Sequence, residues 1–223
     1  SEKSPLSALR LGELAIVAGI PSGVLNVIPG FGTEAGEALA LHPDVDGLVF
    51  TGSTQVGKRL LSLAGQSNMK RCYVECGGKS PNIIFSDAPD LNAAAESAAA
   101  SIFFNQGEVC TAASRLLVES TIKDAFMEKV IEASKAWMPG NPLDPATTMG
   151  PMVDQGQYQT VADYVEIGLG EGAEKVFGGN RVMAKTGGFY HEPTIFTGVN
   201  NQMRIAQEEI FGPVMSVIKF SDA

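Results

Sequence analysis

Apolar positions along the chain come in short runs divided by Gly, Pro and stretches of helical period. Residues 24–28, 47–51 and 71–75 are apolar runs bounded by turn residues and predict buried strands. Residues 6–18, 33–41 and 53 to about 64 predict helices between them. Ser4-Pro5 reads as an N-cap followed by proline at the first helical position, and Gly19 reads as the stop of that helix. Ser53 reads as the cap of the third helix. Strands and helices alternating at this spacing imply βαβ crossovers and a mainly parallel sheet.

The pattern changes at Gly77-Gly78. Strands are expected at residues 82–85, 116–119 and 214–220, and helices at 91–104, 122–136 and 158–168. The first of these helices is Ala-rich and suited to close packing; the second carries Lys, Glu and Asp on its outer face. Residues 141–154 read as a loop, and residues 170–188 as a weak strand with loops. No repeat or low-complexity tract is present, and a domain boundary is expected between residues 76 and 77.

Composition narrows the classes. With 223 residues, 44% apolar and 18% charged, the chain is globular and long enough for one large domain or two smaller ones. A net charge of −9 argues against nucleic acid as a partner, since phosphate binding draws on Lys and Arg. Three cysteines, Cys72, Cys76 and Cys110, are too few and too odd for a disulfide framework and suit a reducing, cytoplasmic setting. No metal site is expected, because Cys72 and Cys76 have no further Cys or His nearby. No apolar run reaches 18 residues, so no membrane span is expected, and residues 1–5 do not read as a signal peptide. Both ends read as those of a fragment or domain.

Four segments carry candidate chemistry. Phe50-Thr51-Gly52-Ser53 ends a strand and opens a helix, a geometry that suits an anion at a helix N-terminus; the plainer reading is an ordinary cap. Pro29-Gly30-Phe31-Gly32 is a second turn of this kind. Glu75 lies at the end of a strand before Cys76-Gly77-Gly78, where a carboxylate can serve as general base or simply face water. Cys110 follows the Asn105-Gln106-Gly107 turn without a flanking His, and a thiol so placed is either a small buried hydrophobe or a nucleophile. Glu208-Glu209 precedes Ile210-Phe211-Gly212-Pro213; adjacent acids point in different directions, and a solvated turn accounts for them. His42 and His191 read as surface or packing residues.

Together these segments resemble the aldehyde dehydrogenase superfamily along the whole chain. The resemblance rests on Phe50-Thr51-Gly52-Ser53, on Glu75 with Gly77-Gly78-Lys79-Ser80-Pro81-Asn82, on Phe104-Asn105-Gln106-Gly107 with Cys110, and on residues 208–214. It implies an α/β fold: residues 1–76 as the C-terminal half of a Rossmann-type NAD-binding domain, and residues 77–223 as most of an α/β catalytic domain, truncated at its C-terminus. It implies NAD as cofactor, with NADP possible, and a small-molecule aldehyde as substrate. Cys110 resembles the catalytic thiolate and Glu75 the base that activates water. Glu209 resembles the residue that holds the nicotinamide ribose, and Phe211 the aromatic beside the nicotinamide. Gly52 and Ser53 resemble pyrophosphate contacts, Glu2 the acid on the adenosine ribose, and Gly32 and Val56 the lining of the adenine slot. Cys76 stands near the nicotinamide where many relatives carry Leu.

Residues 104–110, 115–119 and 141–150 resemble the gamma-glutamyl-gamma-aminobutyraldehyde (aminoaldehyde) branch. The family's ribose-assisting Lys and oxyanion-hole Asn would fall before Ser1, so the fragment alone is expected to turn over weakly or not at all. A full-length form is expected to be a homodimer or homotetramer. Glu75 and Cys110 would meet only at the domain boundary. Alternatives are a CoA-acylating relative, against which Glu75 argues, and a non-catalytic fragment or binding module.

Overall fold

The structure, a computed structural model, describes residues 1–221. It divides into two compact units, Ser1–Cys76 and Gly77–Ala223.

The first unit contains α1 (Leu6–Val17), a π-helical segment (Gly32–Gly36) running into α2 (Glu37–Leu41), β1 (Gly47–Gly52), α3 (Thr54–Gln66) and β2 (Arg71–Cys76). The α1 helix stops as expected. Gly19 N–H donates to Ile16 O and Ile20 N–H to Ala15 O, which satisfies two carbonyls of the last turn. Its start differs from expectation: Pro5 occupies the cap position, with no side-chain cap, and Ser4 lies outside the helix. Proline tolerates this place because a helix's first N–H groups have no intrahelical partner to lose.

β1 and β2 pair in parallel from Gly47 opposite Arg71 to Gly52 opposite Cys76, with α3 as the crossover. The strands alternate: Leu48 and Phe50 pack on Leu60, Leu63 and Ala40, while Val49 and Tyr73 point to the other face and are exposed. The strand expected at residues 24–28 is absent. Asn26 Nδ2 donates to Gly23 O at 2.8 Å and closes a local turn, and Val24 and Ile28 are exposed. An apolar run becomes a strand only by pairing, and here a local bond competes successfully.

The second unit contains β3 (Pro81–Ile84), α4 (Leu91–Phe103), a 3-10 turn (Phe104–Gly107), β4 (Arg115–Glu119), α5 (Lys123–Ser134), a 3-10 turn (Lys135–Trp137) and α6 (Gln155–Gly170). It continues with β5 (Glu174–Gly178), β6 (Arg181–Val182), a 3-10 turn (Ala184–Thr186), β7 (Tyr190–His191), β8 (Thr194–Thr197), α7 (Arg204–Gln207) and β9 (Val214–Phe220). Five strands form one sheet in the order β3-β4-β9-β8-β5, parallel except for β5.

Both faces of this sheet are covered. Met215, Val217 and Ile195 face α4 and α5, while Val214 and Phe196 face α6 and α7. Between them, Ser216 is fully buried and donates its hydroxyl to Ile205 O. The Ala-rich face of α4 (Ala95, Ala98, Ala99) allows α5 to pack close. α4 and α6 are capped by Asp90 and Asp154. β8 went unseen in the sequence because all four of its residues are buried, so it lacks the period-two signal of a half-buried strand.

Candidate active site

In the first unit, Glu2, Gly32 and Val56 line one cavity of about 410 Å³. Its walls are Leu48, Val49 and Phe50 from β1 and Leu60 from α3; Phe31 and Thr33 also line it. Gly52 ends β1, and Ser53 caps α3 by accepting from Val56 N–H at 3.3 Å. That bond uses an oxygen lone pair and leaves the hydroxyl proton to be donated. Glu75 and Cys76 close β2 on opposite faces. Glu75 is exposed, while the Cys76 thiol packs towards Gly57 of α3.

In the second unit, Cys110 is exposed and sits just after a strained turn. Asn105 (φ 48°), Gln106 (φ 58°) and Gly107 (φ 72°) are consecutive left-handed residues, and the first two carry side chains that disfavour this conformation. Neighbouring segments hold them there. Gln106 donates to Pro151 O at 3.1 Å and accepts from Gly150 N–H at 3.2 Å, while Asn105 donates to Glu108 O. Gly107 packs backbone to backbone on Gly212, where a Cβ would lie 2.3 Å from the Gly212 oxygen.

The segment around Gly212 carries the other two candidates. Phe211 is also left-handed, at φ 55°. The Gln157 amide at the start of α6 donates to both Ile210 O (3.0 Å) and Phe211 O (2.7 Å). Glu209 and Phe211 share a small cleft with Gly78, Gly107 and Val109, the residue before the thiol. The adjacent acids do diverge. Glu208 is held by Arg204 and by the Tyr164 hydroxyl at 2.6 Å, which keep its carboxyl below the ordinary glutamate value. Glu209 instead turns its carboxylate into the space that a side chain on Gly77 would fill.

Lys79 stands beside these acids. Its Nζ is buried and has no hydrogen-bond partner among the described residues. Burial, and secondarily Arg115, hold its ammonium down to about 8, against the pull of Glu209 and Glu208.

The aldehyde dehydrogenase family profile matches residues 1–223. This chain belongs to the aldehyde dehydrogenase family. It is 51% identical over 221 residues to the NADP/NAD-dependent aldehyde dehydrogenase PuuC of Escherichia coli, covering 99% of this chain and 44% of that protein. An indole-3-acetaldehyde dehydrogenase solved with NAD+ superimposes at a TM-score of 0.99 with 64% identity, over 100% of this chain and 45% of the other. A gamma-glutamyl-gamma-aminobutyraldehyde dehydrogenase of Burkholderia cenocepacia superimposes at 0.98 with 58% identity, again over 100% and 45%. The chain thus spans less than half the length of the relatives it matches. These matches establish the α/β fold of the family, with a Rossmann-like sheet and a mixed catalytic-domain sheet.

Against the family's fold, each unit gathers its own share of the candidate residues: Glu2, Gly32 and Val56 in one, and Glu209, Phe211 and the Cys110 turn in the other. Glu75 and Cys110 belong to different units. Three residues given no role in the sequence reading bear on the site: Gln106, Gln157 and Lys79. Gln106 lies inside the motif, but its role follows from its bonds to the distant residues Gly150 and Pro151. Gln157 and the burial of Lys79 follow from packing alone. His191, buried between the second-unit strands and α6, has its basicity lowered by burial and serves packing. Among the described residues no helix is long and apolar enough to cross a membrane.

Proposed function

We propose that the protein to which this chain belongs oxidises an aldehyde to a carboxylic acid, with Cys110 as nucleophile. The observation that carries this reading is the presentation of Cys110: an exposed thiol after three left-handed residues, beside a cleft that holds Glu209 and Phe211. Strain of this kind persists only where surrounding structure enforces it, and it gathers at functional sites.

The Cys110 thiolate adds to the aldehyde carbon, and the oxyanion that forms is stabilised by N–H donors, the Cys110 backbone N–H among them in this family. The chemistry a bound dinucleotide would supply here is a hydride acceptor, NAD+ or alternatively NADP+. The residues present fit that cofactor: an apolar slot with Glu2 at its edge suits adenosine, the start of α3 with Ser53 suits a pyrophosphate, and Glu209 suits a ribose diol. Cys76 lies in the cofactor-binding set by its place next to Glu75. Glu75 takes a proton from the water that hydrolyses the thioester. In this reading residues 1–76 are part of the cofactor domain and residues 77–223 part of the catalytic domain. The full-length protein is a cytoplasmic homodimer or homotetramer.

The aminoaldehyde substrate is supported by the 58% identity to the Burkholderia enzyme. An indole aldehyde is supported by the 64% identity to the indole-3-acetaldehyde enzyme. Comparing kcat/KM for the two aldehydes separates them. The general reading is tested by NADH formation from aldehyde and NAD+ in the full-length protein. Cys110→Ala is expected to abolish it, and full activity in that variant refutes the assignment.

A further inference from the structure

Lys79 is the buried charged group for which the roles assigned so far have no use. Its Nζ is enclosed and bonds to nothing among the described residues. The backbone around it is fixed: Arg115 Nε donates to Lys79 O at 3.0 Å, and Arg115 N–H donates to Ser80 O at 3.2 Å. An ammonium carries three N–H donors, and burying them unbonded costs stability. An apolar side chain of similar length would avoid that cost, so the charge needs another account.

Glu209 supplies one. The charged groups that act on Lys79 are Arg115 on β4 and the two acids that follow α7, Glu208 and Glu209. Glu208 is already held by Arg204 and Tyr164, and Glu209 is the exposed one of the pair. An exposed carboxylate left to itself samples several rotamers. The Glu209 carboxylate instead occupies the place where a Cβ on Gly77, two residues before Lys79, would stand. Gly77 leaves the room for it, and a fixed cation nearby favours that one rotamer over the others.

We propose that Lys79 is a positioning residue for Glu209: its ammonium draws the carboxylate over Gly77 and so presents it to the ribose of the nicotinamide half of the cofactor. This rests on the reading of Glu209 as the residue that holds that ribose. The attraction is charge on charge with no hydrogen bond, so it lasts only while Lys79 is protonated. Burial holds the Lys79 ammonium down to about 8, so the positioning fades as pH rises through that value. Binding that favours the protonated lysine weakens when the proton is lost.

Calorimetry of the full-length protein with NAD+ tests this. A partly exposed ion pair is worth roughly fivefold in Kd. The unaltered protein should therefore bind NAD+ roughly fivefold more weakly at about pH 9.5 than at about pH 7. Lys79→Met should show the weaker Kd already at about pH 7 and change no further with pH. Added to Glu209→Gln, it should weaken binding no more than Glu209→Gln does alone. A lysine that merely supports the fold would leave the pH profiles of the unaltered and Lys79→Met proteins parallel, and parallel profiles overturn the inference. Glu209→Gln separates the two readings. If it leaves the Kd for NAD+ unchanged, the ribose reading falls and the inference with it. If it weakens binding while Lys79→Met does not, the inference about Lys79 alone falls.

Discussion

Cys110 owes its presentation to the residues just before it more than to any charged neighbour. Gly107 is the critical one, because its φ of 72° disfavours a side chain and its backbone contact with Gly212 leaves no room for one. Gly107→Ala is expected to destabilise by roughly 2–4 kcal/mol through strain plus overlap with a carbonyl that cannot move freely. A thermal melt should show a Tm several degrees lower, with activity falling in parallel. Lys79 gives a pH-dependent counterpart. Its ammonium is depressed to about 8 in the fold from 10.5, so the unfolded chain holds that proton more tightly. The charged lysine therefore costs stability fully below about pH 8, and the cost is relieved as pH rises from about 8 to 10.5. Lys79→Met should melt above the unaltered protein at pH 7, with the gap closing by pH 10. A gap that stays constant would show that this lysine does not titrate as described.

At the scale of elements, α6 does more than cover the sheet. Asp154 caps it by accepting from Gln157 N–H, which fixes the residue whose amide holds the Ile210 and Phe211 carbonyls. Gln157→Ala removes two hydrogen bonds from a left-handed segment and is expected to raise the NAD+ KM by about tenfold, with a smaller effect on kcat. An unchanged KM would mean that the Phe211 segment holds its shape unaided. This element also shows where the sequence was readable. The helical period located α6, but the cap at Asp154 lengthened it beyond residues 158–168 at its start. β1, β2, β4 and β9 were legible because their runs alternate or are bounded by turn residues. β8 was not, being buried on both faces, and residues 24–28 misled because a run of apolar side chains does not specify a partner. Of the site, the motif residues were visible as types at a spacing. The Gln157 clamp and the buried Lys79 nitrogen depend on contacts between distant segments and left no local trace.

At the scale of the whole molecule, the two units differ in how much they bury. The second has cores on both faces of its sheet, whereas the first has a single small cluster and leaves Leu6, Val17, Val24, Ile28, Val49 and Tyr73 more than half exposed. Apolar surface of that extent predicts that the isolated 223-residue chain binds a hydrophobic dye and self-associates, which dye fluorescence and sedimentation would detect. A monodisperse, dye-silent chain would contradict this. The roles assigned to Cys110 and Glu75 fall on different units, so the base can be removed while the unit carrying the thiol keeps its own structure. The decisive measurement is mass spectrometry of full-length Glu75→Gln after mixing with aldehyde and NAD+. The account predicts an acyl adduct accumulating on the peptide that contains Cys110. An unmodified Cys110, or an adduct on Cys72 or Cys76 instead, would contradict it.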